Sequence, residues 1–308
     1  MKKYRTTHWM QAVLWGAMVL VTCVLHAQSP VERASRLAQS GSWWEAYDVL
    51  APVIQSEPQR SDARAWFMLG FIEKELHKSS GESGAEAPHR VQSVASFEQA
   101  LSMPALPTKD RETAREALDF LSRTYFREAI DRVEGFTPGS TAEILGLMSQ
   151  YERIQTTLNP QFDKSDQRAD LHRYLGQAHA QLLETERHAG TAMERELFEG
   201  AVEHYGKSLA FDPDNYASQY NLAIVLYNHG VRQLKRIDHN TSMFELMEIQ
   251  DQCVALFETA LQPMQQAYTQ RPERLETLKG LMTIHYALSQ KEESDMYRSK
   301  IEDVLQKR

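Results

Sequence analysis

The chain has 308 residues, 42% of them hydrophobic and 25% charged, with a formal net charge of −8, a make-up ordinary for a folded soluble protein. An acidic body repels phosphate backbones, so nucleic acid is not expected as a partner. Cys23 and Cys253 are the only cysteines, which excludes a disulfide-stapled scaffold.

The N-terminus opens with a basic region, Lys2, Lys3 and Arg5, followed by the apolar run Trp9–Leu25 and a small residue at Ala27. That order is the pattern of a secretory signal peptide over residues 1–27, with Gln28 first in the mature chain and no membrane span left after cleavage. Kept as an anchor, the run would sit near the lower length limit for a span. A lipoprotein site at Cys23 is a poor match, because Thr22 precedes it where Gly or Ala is usual. With Cys23 removed, Cys253 has no internal partner; its neighbours Leu256, Phe257 and Ala260 mark it as a buried small hydrophobe.

Beyond the signal, the spacing predicts helices over residues 31–39 and 43–55, separated by Gly41 and Ser42. In the second, Ala46, Leu50, Val53 and Pro58 stand at intervals that return as Ala201, Tyr205, Ser208 and Pro213, and again as Ala260, Met264, Ala267 and Pro272. The first three members of each set share one helix face, and the proline marks the turn after it. A helix opening at Ala65 carries Trp66, Leu69 and Gly70 at W-x2-L-G spacing. The polar, Gly/Ser/Pro-rich run from Lys78 to Arg90 reads as a flexible loop. Helices over 110–134 and 141–158 follow, with Leu118, Leu121, Ser122 and Tyr125 in the W, L, G and Y places; His172, Leu175, Gly176 and His179 take those places in the next. Leu222, Ala223 and Leu226 open a fifth unit, and Leu278, Leu281 and His285 a sixth, which ends polar as a capping unit does.

The combined signature W-x2-L-G-x2-Y, A-x3-F, P is that of the tetratricopeptide repeat. The pattern leucines Leu69, Leu121, Leu175, Leu222 and Leu281 are spaced well beyond the ~34 residues of an unmodified repeat, because the helices lengthen within each pair. Residues 28–308 are therefore expected to form a single all-α domain, a tetratricopeptide-like α-α solenoid of about six antiparallel helix pairs. With its signal ending in Ala27-Gln28, the stretch Tyr220–Gly230 and the long helix over 244–271, the chain resembles exported tetratricopeptide proteins of Bacteroidetes-type bacteria. The resemblance implies a periplasmic or envelope-associated scaffold that holds other proteins, with no activity of its own.

No catalytic arrangement is legible: G-x-S-x-G, H-E-x-x-H and a Gly-rich loop opening a helix after a strand are all missing, so no enzymatic activity, cofactor or metal is expected. His172 and His179 could share a helix face, but they occupy packing places of the repeat and no Cys, Asp or Glu completes a ligand set by spacing. In tetratricopeptide folds the first helices line a concave wall. Carried over, the wall positions fall on Phe67, Phe71 and Lys74; Asp119, Arg123, Phe126 and Arg127; Arg173 and Gln177; Tyr220, Ile224, Tyr227 and Asn228; and Lys279 and Tyr286. Aromatic residues and arginine dominate binding energy at protein interfaces, so this set points to a groove for a protein or an extended peptide. The Lys/Asn carboxylate clamp of chaperone-binding tetratricopeptide domains is not recognisable there. The rival reading is a small-molecule or glycan binder, favoured if the 78–90 loop closes over a compact pocket. The partner's identity and the oligomeric state are not encoded in these patterns.

Overall fold

In the computed structural model, residues 29–185 and 190–307 are described; the 1–27 segment read as a signal peptide lies outside them. Among the described residues there is no strand. The α-helices are α1 (Pro30–Gln39), α2 (Trp43–Leu50), α3 (Ala63–Ser80), α4 (Pro88–Ser102), α5 (Thr108–Glu134), α6 (Thr141–Leu158), α7 (Ser165–Leu183), α8 (Ala192–Phe211), α9 (Tyr216–Leu234), α10 (Met243–Gln270), α11 (Leu275–Ala287) and α12 (Lys291–Gln306). The protein is all-α and built from consecutive helix pairs of tetratricopeptide type.

Local chemistry starts these helices where the sequence places polar residues. The side chains of Ser29, Asp62, Thr191, Asn215 and Ser242 each accept a hydrogen bond from a backbone N–H of the turn they precede, supplying partners that the first helical turn lacks. At the other end of α3, Gly81 adopts φ +70°, the left-handed geometry that closes a helix without a Cβ penalty. That closure corrects the loop boundaries. The polar stretch expected as a loop over 78–90 is helical at both ends, and only Gly81–Ala87 connects α3 to α4. Within it the Glu82 carboxylate accepts from the His89 backbone N–H at 3.0 Å and pairs with His89 Nδ1 at 2.6 Å. The helix expected over 43–55 likewise stops at Leu50 and continues as turns.

The pattern residues explain how the pairs close. A Cβ at Gly70 would lie 3.0 Å from the Phe97 ring, and one at Gly176 would lie 2.9 Å from Tyr205. In these two pairs the glycine of the first helix thus receives the aromatic ring of the second, so the two backbones approach closely. Buried serines tie the layers further: Ser93 Oγ donates to the Gly70 carbonyl at 2.8 Å, and Ser208 Oγ lies 2.8 Å from both the Ala169 carbonyl and Ser218 Oγ.

The chain divides into two compact units. Unit 1 runs to Tyr125 and includes Arg153–Leu158; unit 2 comprises Phe126–Glu152 and the chain from Asn159 onward. The core of unit 1 gathers Ala34, Ala46, Leu50, Leu69, Ile72 and Leu76 from α1–α3. In unit 2 one cluster, with Leu197, Ala201 and Tyr205, joins α7, α8 and α9. A larger one, with Leu226, Phe257, Met264, Leu281 and Ile301, joins α9 to α12. Cys253 belongs to it, its thiol donating to the Gly230 carbonyl at 3.2 Å, which is the small-hydrophobe role its surroundings indicated.

Candidate binding site

Among the described residues, three of the depressions open between the first helices of successive pairs. In unit 2 one of about 260 Å³ lies between α9 and α11 and is lined by Tyr220, Ile224, Tyr227 and Asn228 on one side and Glu276, Lys279, Gly280, Thr283 and Ile284 on the other. Spacings of four, seven and eight residues put each set on a single helix face. Its aromatic wall is braced from behind. Tyr220 stacks on Tyr216 with centroids 6.1 Å apart, and the Tyr216 hydroxyl lies 2.7 Å from Thr277 Oγ1 while the Arg271 guanidinium sits 4.3 Å from the Tyr216 ring centre. Tyr227 leans on Phe257 at 5.2 Å. Burial raises the pKa of both Tyr220 and Tyr227 above the usual phenol value, so at neutral pH both keep an O–H to donate. Gly280 lets α11 pack closely on α10, since a Cβ there would meet the buried Met264 methyl at 2.5 Å.

A second depression in unit 2, about 420 Å³, is lined by Ile130, Val133 and Glu134 of α5 and by Tyr174, Gln177, Ala178 and Gln181 of α7. Arg173 stands beside it with its guanidinium 4.0 Å from the Tyr174 ring centre and 2.9 Å from Asp170, an arrangement that fixes the cation instead of leaving it mobile. In unit 1 a depression of about 450 Å³ is formed by Val31, Glu32, Ser35 and Arg36 of α1, Arg64, Phe67 and Met68 of α3, and Asp110 of α5, with Arg64 and Asp110 paired at 3.4 Å.

The expected wall residues therefore fall into separate groups. Tyr220, Ile224, Tyr227, Asn228 and Lys279 come together in one depression, Gln177 lines the second and Phe67 the third. Phe71 and Lys74 pair with each other, the ammonium 4.4 Å from the ring centre, while Trp43 packs on Phe71 at 6.0 Å. Phe126 is half-buried against Tyr151 at 5.1 Å, a contact within its own helix pair. Arg123 is exposed and paired with Asp119, and Arg127 is exposed. Tyr286 is exposed and borders a different hollow with Lys291, Asp295 and Arg298. Glu276, Thr283, Tyr174 and Gln181 were absent from the expected wall. Each stands three or four residues from an assigned wall position, a helical neighbourhood that would have found them.

His172 and His179 are buried between α7 and α8, where His204 joins them: His172 Nδ1 and His204 Nδ1 are 3.0 Å apart, and the His179 and His204 rings are 5.4 Å apart. Among the described residues no group of three or more His, Cys, Asp or Glu side chains could hold a metal ion, and no helix is long and apolar enough to cross a membrane.

No protein-family model matches the chain, and no curated protein matches it. Solved structures to which it is similar include the nuclear import adaptor Nro1 of S. pombe, with a TM-score of 0.33, 11% identity and 90% of each chain covered. Human IFIT1, in a dimer with PPP-AAAA, gives a TM-score of 0.25 and 12% identity over 85% of this chain and 69% of that one. These likenesses are too remote to carry a function to this chain.

Proposed function

We propose that this chain is a non-enzymatic scaffold, exported to the periplasm or cell envelope, that holds a protein or extended peptide against the faces of its first helices. The observation that carries the binding reading is the α9–α11 depression, where two braced tyrosines, two isoleucines and a rim of Asn228, Lys279 and Glu276 meet. Ligand pockets that enclose a small molecule usually measure about 300–1,000 Å³. At about 260 Å³ this hollow suits one apolar or aromatic side chain of a longer partner, with the polar rim left to bond its backbone. The Gly81–Ala87 connection lines none of the three depressions, so the lid that a glycan or small-molecule site would call for has no counterpart there. The export reading rests on the sequence pattern of residues 1–27.

The test is capture of partners from a native envelope extract with the intact chain and with an Asn228→Arg/Lys279→Glu variant. These exposed rim positions leave the tyrosine packing alone. One stoichiometric protein retained by the parent and lost by the variant is the expected result. Equal recovery with both would remove the depression from consideration. Sequencing the secreted form's N-terminus checks export, with Gln28 expected first.

A further inference from the structure

We infer that the N-terminal end of α10 is a docking surface for a basic amphipathic helix of a partner protein. Cys253 of α10 lies opposite Gly230 of α9, and the two helices run antiparallel. Leu234, the last residue of α9, therefore comes level with Ile249, and residues 243–248 project past it by about 9 Å at 1.5 Å per residue. Ile249 is the first α10 residue packed on the core. Beyond it Met243, Phe244 and Met247 are 73%, 78% and 58% exposed, and further along Val254 is 44% exposed. This is the densest group of exposed large hydrophobics among the described residues.

Their placement is ordered. Met243, Met247 and Val254, at i, i+4 and i+11, fall within about 40° of one another around the helix. Phe244, Asp251 and Glu258, seven residues apart, make a parallel stripe beside them. The projecting end is also actively held helical: Ser242 and Glu245 form a complete capping box, with bonds of 3.2 and 2.9 Å. An apolar stripe followed over about three turns suits another helix laid along it, and methionine side chains adapt to the partner's shape.

Charge selects the occupant. From Met243 to Gln270, α10 contains no lysine or arginine, while Glu248, Asp251 and Glu258 stand exposed. Glu245 is engaged in the capping box, and the nearby Arg236 is held by Glu194. A second copy of this face would set Asp251 and Glu258 against the same carboxylates, and an anionic lipid surface would repel them. A helix with apolar residues on one side and lysine or arginine flanking them satisfies both stripes.

The experiment uses the intact chain and a fluorescein-labelled peptide of repeated leucine/lysine heptads as the probe, read by anisotropy. The parent should bind it, and Phe244→Ser/Met247→Ser should weaken binding at least about tenfold, as loss of a central anchor does. Asp251→Lys/Glu258→Lys should weaken it similarly, with far-UV spectra unchanged, and the Asn228→Arg/Lys279→Glu variant should bind as the parent does. Binding that survives the Phe244/Met247 change overturns the proposal, because net charge alone would explain it. So does a failure of the parent to bind. So too does a dimer in sedimentation, or adsorption to zwitterionic vesicles, that the Phe244/Met247 variant abolishes.

Discussion

Among single residues, the buried ionisable groups set the conditions under which the protein is stable. His172 and His204 are held down to a pKa of about 4, chiefly because burial disfavours the charged ring. Lys207 and Arg168 add to this at His172, its partner rings add to it at His204, and Glu203 and Glu152 oppose it only weakly. His179 is lowered too by burial, against the pull of Glu196 and Glu203, and among the described residues neither of its nitrogens has a hydrogen-bond partner. Unfolded imidazole titrates near 6.5. Below that value the unfolded chain takes up protons that the folded chain refuses, so stability is full above pH 6.5 and drains away as pH falls toward 4. The loss is on the order of 3 kcal/mol for each of His172 and His204 taken alone. Urea titrations across this range should show it, and His204→Gln should flatten the dependence; an unchanged slope would refute the assignment. Glu73 works in the opposite sense. Burial pushes its carboxyl up to about 8 although Ser96 Oγ donates to it at 2.7 Å. The folded chain therefore keeps a proton that the unfolded chain releases above about pH 4.5, and stability is lost as pH rises from there to 8. Glu73→Gln keeps the shape and removes that cost, so it should stabilise by about 3 kcal/mol at pH 7 and by only about 0.8 kcal/mol at pH 5.

On the scale of helices, the glycine-to-ring contact is the feature most sensitive to a single methyl. Gly176→Ala would push a Cβ to 2.9 Å from Tyr205, a ring buried in the α7–α9 core. Overpacking of this kind typically costs about 1–3 kcal/mol, and a lowered thermal midpoint with unchanged helix content would report it. Gly135→Ala, with nothing within 4 Å of the added Cβ, is the matched control. The projecting end of α10 responds differently. Ser242→Ala removes its capping box at a cost of roughly 1 kcal/mol. Because residues 243–248 have little packing to hold them, that cost should appear as faster amide exchange there, with the global midpoint nearly unmoved. A global shift instead would mean that the end is coupled to the core. These contacts also show what the sequence could disclose. Gly70 and Gly176 were legible because their function is periodic, and a repeat writes it more than once. Tyr220, Tyr227, Asn228 and Lys279 were found together for the same reason. The pairing of His172 with His204 was not legible, since thirty-odd residues separate them and nothing local marks the contact. Nor was the tie of Arg123 to Asp119, which depends on rotamers as well as on spacing.

For the molecule as a whole, the two compact units contain opposite titrations. Glu73 lies in unit 1 and the three histidines in unit 2. Between pH 6.5 and 4.5 acid should strengthen the first while weakening the second. Amide exchange, corrected for its intrinsic pH dependence, should show protection falling across α7 and α8 while it holds across α3 and α4; parallel loss in both would contradict the assignment. Trp43, Trp44 and Trp66, the tryptophans among the described residues, all belong to unit 1. Their emission therefore follows that unit and is blind to direct loss of the other. The division itself could not be read from the repeat pattern, because it falls inside α5 and α6, where the helical periodicity continues unbroken.

The absence of lysine and arginine from α10 has a practical side. Trypsin finds no site between Arg236 and Arg271, and Pro272 blocks the bond after Arg271. Ile237–Arg274 is therefore released as one piece, folded or unfolded. A tryptic digest would report this helix as resistant whatever its true exposure. A glutamate-specific protease, cutting after Glu245 and Glu248, would see the projecting end directly.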